Sequence, residues 1–257
     1  MGQQINFIKR LIGTAVGFCL LGICGFLMYT LIFSVLGLFM RDKFKKQYYV
    51  RCIVSTSFRC FLSILALFGL FKIYTKEFEK LRNLKGALVT CNHPSLLDVV
   101  IIMSQIKGIQ CVVKSKLWEN PLIGGVIKAA GYLRNDIDPQ LFLEECKKRL
   151  ALGENILIFP EGTRSKPGQP IKLQRGVGNL ALFTETNIQT LKMNCSPVML
   201  VKGEKWYKIP TTPPTFTVIV GRQFNITDYQ DKGPRSLRVR ALIEDIQNYY
   251  NQYLGYE

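Results

Sequence analysis

A single histidine, His93, stands in the 257 residues, and that scarcity excludes any metal centre built from several imidazoles. Acidic residues are short too, 18 against 34 basic ones, leaving a net charge of +16. So lopsided a surface seeks a polyanion: nucleic acid, anionic lipid headgroups or an acidic partner protein. The eight cysteines, at 19, 24, 52, 60, 91, 111, 146 and 195, form no Cys-x-x-Cys pair and no framework spacing. They read as buried free thiols in a reducing compartment, not as disulfides or zinc ligands. No charged residue falls between positions 11 and 40. Apolar residues make up 48% of the chain, high for one so basic, which favours a lipid surface over nucleic acid. The aromatics lie within apolar runs rather than between charges, and no recognition module is visible, so no nucleic acid is expected as a partner.

What is present begins with that uncharged stretch. As one helix, residues 11–40 would reach about 45 Å, against a bilayer core of roughly 30 Å. Glycines at 13, 17, 22, 25 and 37 permit a tilt or a break. Lys9 and Arg10 precede it; Arg41, Lys43, Lys45, Lys46 and Arg51 follow. Positive charge at both ends points to a shallow re-entrant hairpin, with a single tilted span as the alternative. A secretory signal fits less well, because the stretch is too long and lacks a small-residue cleavage site. Residues 60–74, interrupted only by Lys72, read as a second helix, packed on the domain or lying in the headgroup plane. The expected division is a membrane-anchoring helical region at 1–75 and a globular domain at 76–257.

From residue 76 short apolar runs alternate with helical spacing. Strands are expected at 86–91, 110–114, 155–159, 195–201 and 215–220, and helices at 98–103, 121–130, 139–152, 175–183 and 236–253. Such alternation gives an α/β class: a mixed, mostly parallel sheet flanked by helices on both sides.

Residues 92–98 read Asn-His-Pro-Ser-Leu-Leu-Asp. His93 stands at a strand end, where α/β proteins place working residues. Asp98, folded back across the helix entrance, would fix the imidazole tautomer and make His93 a general base. The plainer readings are a structural histidine and a helix-start charge. Ser95 lacks a Gly-x-Ser-x-Gly elbow and reads as a capping or packing residue. Behind the run 156–159 come Glu161, Gly162, Thr163 and Arg164. Pro160 and Gly162 enforce a turn, Arg164 can grip a phosphate with two N–H groups, and amides near Gly162 can form an anion nest. Glu161 would orient Arg164 or bind an acceptor hydroxyl. A charged surface turn is the plain alternative, and the conjunction with the histidine segment weighs against it. Residues 176–181 fit Gly-x-Gly-x-x-Ala, but no apolar strand precedes them, so close helix packing explains them better. Arg175 is a candidate second phosphate contact, and Lys114 a candidate contact to a phosphorylated donor. Trp206 and Tyr207 form either an interfacial aromatic rim or part of a solvated hairpin.

The segment 92–98 resembles the first signature of the glycerolipid acyltransferases, the lysophosphatidic-acid acyltransferase (PlsC-like) family. Phe-Pro-Glu-Gly-Thr-Arg-Ser at 159–165 resembles their third, and Ser-Pro-Val at 196–198 their short fourth; the likeness runs over about 75–225. It implies an α/β acyltransferase domain behind a membrane-attached helical segment. It implies transfer of a fatty acyl group from acyl carrier protein or coenzyme A to a lipid hydroxyl, by default that of 1-acylglycerol 3-phosphate, giving phosphatidic acid. By that similarity His93 is the base, Asp98 its partner, and Glu161 and Arg164 hold the acceptor phosphate. No cofactor beyond the thioester donor and no metal are expected. The expected setting is a bacterial-type inner membrane, at its cytoplasmic face, among phospholipids.

One departure concerns the second motif, where the family runs from a glycine to an Asp-Arg pair. Here residues 131–137 read Gly-Tyr-Leu-Arg-Asn-Asp-Ile, so the arginine is displaced, and Arg134 is the candidate replacement. That leaves a lyso-aminolipid or another hydroxylated lipid as alternative acceptors. The segment 202–207 resembles one in bacterial relatives tied to aryl polyene lipids. Two other classes remain open: a non-catalytic membrane lipid-binding protein, and a thioesterase or lipase using the same base with water.

Overall fold

The computed structural model describes residues 2–256. Helix α1 (Gly2–Leu27) continues through a π-helical turn, Met28–Phe33, into α2 (Ser34–Phe39). After a break at 40–42 the chain reverses into α3 (Lys43–Leu67), whose start is capped by the Asp42 carboxylate accepting from the amides of Phe44 and Lys45 at 2.9 and 3.0 Å. There follow β1 (Lys72–Lys76), β2 (Leu88–Cys91), α4 (Asp98–Gln105), β3 (Gln110–Val113), α5 (Ser115–Trp118), α6 (Gly124–Ala130) and β4 (Leu133–Arg134). Then come α7 (Pro139–Ala151), β5 (Ile156–Ile158), α8 (Gly176–Thr184), β6 (Ile188–Ser196), β7 (Thr215–Phe224) and α9 (Arg235–Tyr253).

Seven strands form one sheet in the order β1-β7-β6-β2-β5-β3-β4. From β6 to β4 every neighbour is parallel, β7 is antiparallel to β6, and β1 is parallel to β7. The mixed, mostly parallel α/β sheet expected from the sequence is what forms. Successive strand residues face opposite sides. Val89, Cys91, Cys111 and Leu157 pack with α3, α4 and α6, while Leu88, Ile156 and Ile188 pack with α7, α8 and α9. Both faces are therefore covered, which is why β2 is buried at all four positions.

Three expectations are corrected. Residues 60–74 are not one helix: α3 stops at Leu67, Gly69 takes a left-handed φ of 71°, and the stretch ends in β1. β-branched Ile73 and Thr75 suit β1's pairing with β7, so the sheet itself runs across position 75/76. The strand expected at 195–201 is Ile188–Ser196; Pro197, which has no amide to donate, ends it.

The N-terminal helices are tied to the sheet. Arg51 of α3, with no exposed surface, meets Glu154 at 2.5 Å and donates to the carbonyls of Gly108 and Ala130 at 3.0 and 2.9 Å. Arg149 lies 3.5 Å from the same carboxylate and donates to Gln47 at 2.7 Å. Two segments, Asn6–Thr30 and Lys43–Leu67, are long and apolar enough to cross a membrane. Only 6% of the first segment's most apolar stretch is buried against 39% for the second, so α1 presents the free apolar surface.

Candidate active site

β2 and β5 are neighbours, yet the helices after them leave for opposite faces: α4 packs with α3 and α6, α8 with α7 and α9. The crevice this opens beyond the carboxyl ends of the strands is where open α/β sheets bind ligands. His93 comes off β2 into it, and residues 159–165 come off β5 into it.

The backbone of His93 is held at both its N–H and its carbonyl. Its amide donates to Glu161 Oε1 at 3.0 Å, its carbonyl accepts from the Ser165 amide at 2.8 Å, and Ser165 Oγ donates to the same Glu161 oxygen at 2.8 Å. One residue earlier, the Asn92 side-chain amide donates to the Met193 carbonyl at 2.8 Å and accepts from its N–H at 2.7 Å, locking β2 to β6. The imidazole stacks on Phe159, with ring centroids 4.1 Å apart at 28°. Its Nδ1 lies 3.0 Å from Asp98 Oδ2, which also accepts from the Ser95 amide at 2.7 Å. With that carboxylate as acceptor the proton sits on Nδ1, leaving Nε2 free to take another.

Asp98 is fully buried, and burial pushes its pKa up against the opposing pull of the His93 hydrogen bond, the Ser95 amide and the Arg164 charge. Burial raises Glu161 as well, opposed by the His93 amide and the Ser165 hydroxyl. Ser95 is buried, and its hydroxyl accepts from the Leu97 amide at 3.4 Å, a packing residue as the sequence reading had it.

Arg164 is not held by Glu161. Its Nη1 donates to the Leu200 carbonyl at 2.6 Å, and Leu200 itself has a left-handed φ of 55°, a strained conformation for a leucine. The remaining guanidinium donors stay free for a phosphate. Gly162, with φ 68°, spends its amide on the Phe159 carbonyl at 3.0 Å, so it supplies the turn and not an anion contact. Among the described residues the amides of Thr163 and Arg164 have no protein acceptor. Among the described residues the side chains of the other candidates make no hydrogen bond to residues 92–98 or 159–165. Lys114 is exposed at the end of β3, and Arg175 is exposed just before α8. Arg134, at the end of β4, makes two hydrogen bonds to Asp136 at 2.9 and 2.6 Å and lies over Trp118. Among the described residues no cluster of three or more His, Cys, Asp or Glu could hold a metal ion.

Sequence reasoning missed Phe159, Ser165 and Asn92. It also missed the apolar seam beside the site, lined by Gly17 and Phe18 of α1, Leu65 of α3, and Leu97, Met199 and Leu200.

A histidine–carboxylate pair and an arginine-bearing turn thus share the crevice of a mostly parallel α/β sheet. Residues 72–194 match the family model described as Acyltransferase. A 1-acyl-sn-glycerol-3-phosphate acyltransferase of Cocos nucifera is 36% identical over 40% of this chain and 35% of its own length. Another, from Helicobacter pylori strain J99, is 32% identical over 48% of this chain and 55% of its own. The chain spans 30% to 62% of the length of the curated relatives it matches. The solved structure of the 1-acyl-sn-glycerophosphate acyltransferase PlsC from Thermotoga maritima covers 96% of this chain and 97% of that one, with a TM-score of 0.70 at 17% identity, a likeness of fold. Residues 72–194 thus resemble an acyltransferase domain, and the chain is similar over that region to 1-acyl-sn-glycerol-3-phosphate acyltransferases.

Proposed function

We propose that this protein transfers a fatty acyl group from a thioester, carried by acyl carrier protein or coenzyme A, to the free hydroxyl of 1-acylglycerol 3-phosphate. His93 Nε2 takes the hydroxyl proton as the oxygen attacks the thioester carbonyl. The tetrahedral intermediate expels the thiolate, which takes the proton back from the imidazolium, leaving an ester and a free thiol. Asp98 holds the imidazole tautomer and balances its transient charge. The unoccupied amides of Thr163 and Arg164 are the candidate donors to the oxyanion. The guanidinium of Arg164 receives the acceptor phosphate. The apolar seam against α1 takes the start of an acyl chain. The reaction runs at the cytoplasmic face of a bacterial-type inner membrane, with α1 among the lipids.

One observation carries the reading: the arginine-bearing turn is hydrogen-bonded directly to the backbone of the histidine it would serve, through Glu161 and Ser165. The test is mass spectrometry of the products formed by purified protein from an acyl thioester and a panel of lyso-acceptors. Diacylglycerol 3-phosphate should dominate, and Arg164→Ala should raise the acceptor KM at least tenfold, the scale of one lost charge-assisted contact. Preferential acylation of a lyso-aminolipid would overturn the choice of acceptor. Free fatty acid as the main product would overturn acyl transfer itself.

A further inference from the structure

We propose that the loop spanning residues 202–208 is a second membrane contact, separate from α1, and that it docks on anionic headgroups beside the catalytic crevice. The connection between β6 and β7 covers 197–214, longer than the ~12–15 residues beyond which a structureless loop usually has a task. Residues 202–208 are exposed throughout, and the loop is anchored behind by buried Ile209. At its tip Trp206 and Tyr207 stand 46% and 47% exposed, edge to face at 5.7 Å. Rings of this kind, apolar in body and polar at the edge, settle at the headgroup level of a bilayer. Lys202, Lys205 and Lys208 surround them against one acid, Glu204, which pairs only with Lys208. Lys202 and Lys205 are left to attract negative headgroups.

The loop is continuous with the free apolar face of α1. Trp206 meets Phe18 of α1 edge-on at 6.4 Å, and Ile8, Ile12 and Val16 of that helix are 48–58% exposed. Arg10 of α1 donates to the carbonyls of Pro210 and Thr211, at 2.7 and 2.5 Å, fixing the loop's far end to the helix. Just before the loop, the Leu200 carbonyl holds Arg164. A bilayer touching both α1 and the loop therefore lies beside the carboxyl ends of the strands, where the crevice opens. A polar-only surface hairpin would not place two large rings outward next to an uncovered apolar helix.

The proposal rests on membrane association and not on the acyl-transfer chemistry, so its test reads no turnover. The chain has two tryptophans, and W118F leaves Trp206 as the only indole. With phosphatidylglycerol vesicles brominated near the headgroup end of the acyl chains, Trp206 emission should shift to the blue and be quenched. K202Q/K205Q should lose most of that quenching while the protein still floats with the vesicles through α1. If W118F folds poorly, the difference between the unaltered chain and W206F gives the same signal. Unquenched Trp206 in vesicle-bound protein would overturn the proposal, and equal quenching with phosphatidylcholine would overturn its anionic half.

Discussion

Asp98 shows at the level of one residue how function and stability pull apart. Its carboxylate is buried, one of its oxygens has no hydrogen-bond partner, and its pKa is raised by that burial. The folded chain therefore keeps this proton to higher pH than the unfolded chain does. Above the ordinary carboxylate range, about 4, stability falls as pH rises towards the raised value. Asp98→Asn keeps an oxygen facing the Ser95 amide and Nδ1 but removes the charge that balances the imidazolium. At neutral pH this variant should melt higher than the parent, by ~2–4 °C for each kcal/mol of relieved penalty, while losing at least 10²-fold in kcat. Melting curves across pH check the sign: the gap should close as pH drops below about 4. The pair was legible in the sequence because the histidine stands at a strand end with a carboxylate five residues on, in conjunction with the arginine-bearing turn. Phe159, Ser165 and Asn92 were not, since each acts on a ring or a backbone atom brought from another strand.

Among the elements, α8 carries a pattern that looked like a phosphate loop. Its two glycines differ in what surrounds them. A Cβ on Gly178 would lie 2.9 Å from Ile243 Cγ1 and 3.3 Å from Val239 Cγ1 of α9, whereas one on Gly176 would meet nothing within 4 Å. Gly178→Ala should force α8 from α9 and cost about 1–3 kcal/mol. Gly176→Ala should be neutral or raise stability by up to about 1 kcal/mol, because alanine favours the helix. Denaturant melts of the two variants separate close packing from ligand binding. Other elements escaped sequence reading for physical reasons. β6 buries Gln189 and Thr190, polar residues that blur its apolar run. β1 is an edge strand with exposed lysines, and β4 has only two residues. The strands that were read well are the central ones, where burial on both faces leaves an unbroken apolar run.

For the whole molecule, the buried Arg51–Glu154–Arg149 group joins the N-terminal helices to the amino-terminal ends of the central strands, opposite the crevice. Glu154→Ala leaves the buried Arg51 guanidinium without a carboxylate, while Arg149 keeps Glu145, and should cost ~3–5 kcal/mol. Limited proteolysis should then cut first at the 40–42 turn as α3 loosens from the sheet. The same chain-wide view joins a helix with free apolar surface to a crevice where two sequence-distant motifs meet. The most direct measurement is of acyl groups leaving labelled thioester in the presence of 1-acylglycerol 3-phosphate, comparing the unaltered protein with His93→Ala. The account predicts that the parent releases one free thiol for each diacyl product formed. The variant should run at least 10²-fold slower while still floating with vesicles. A variant that retains the parent rate would contradict the role of His93 and the shared site built around it.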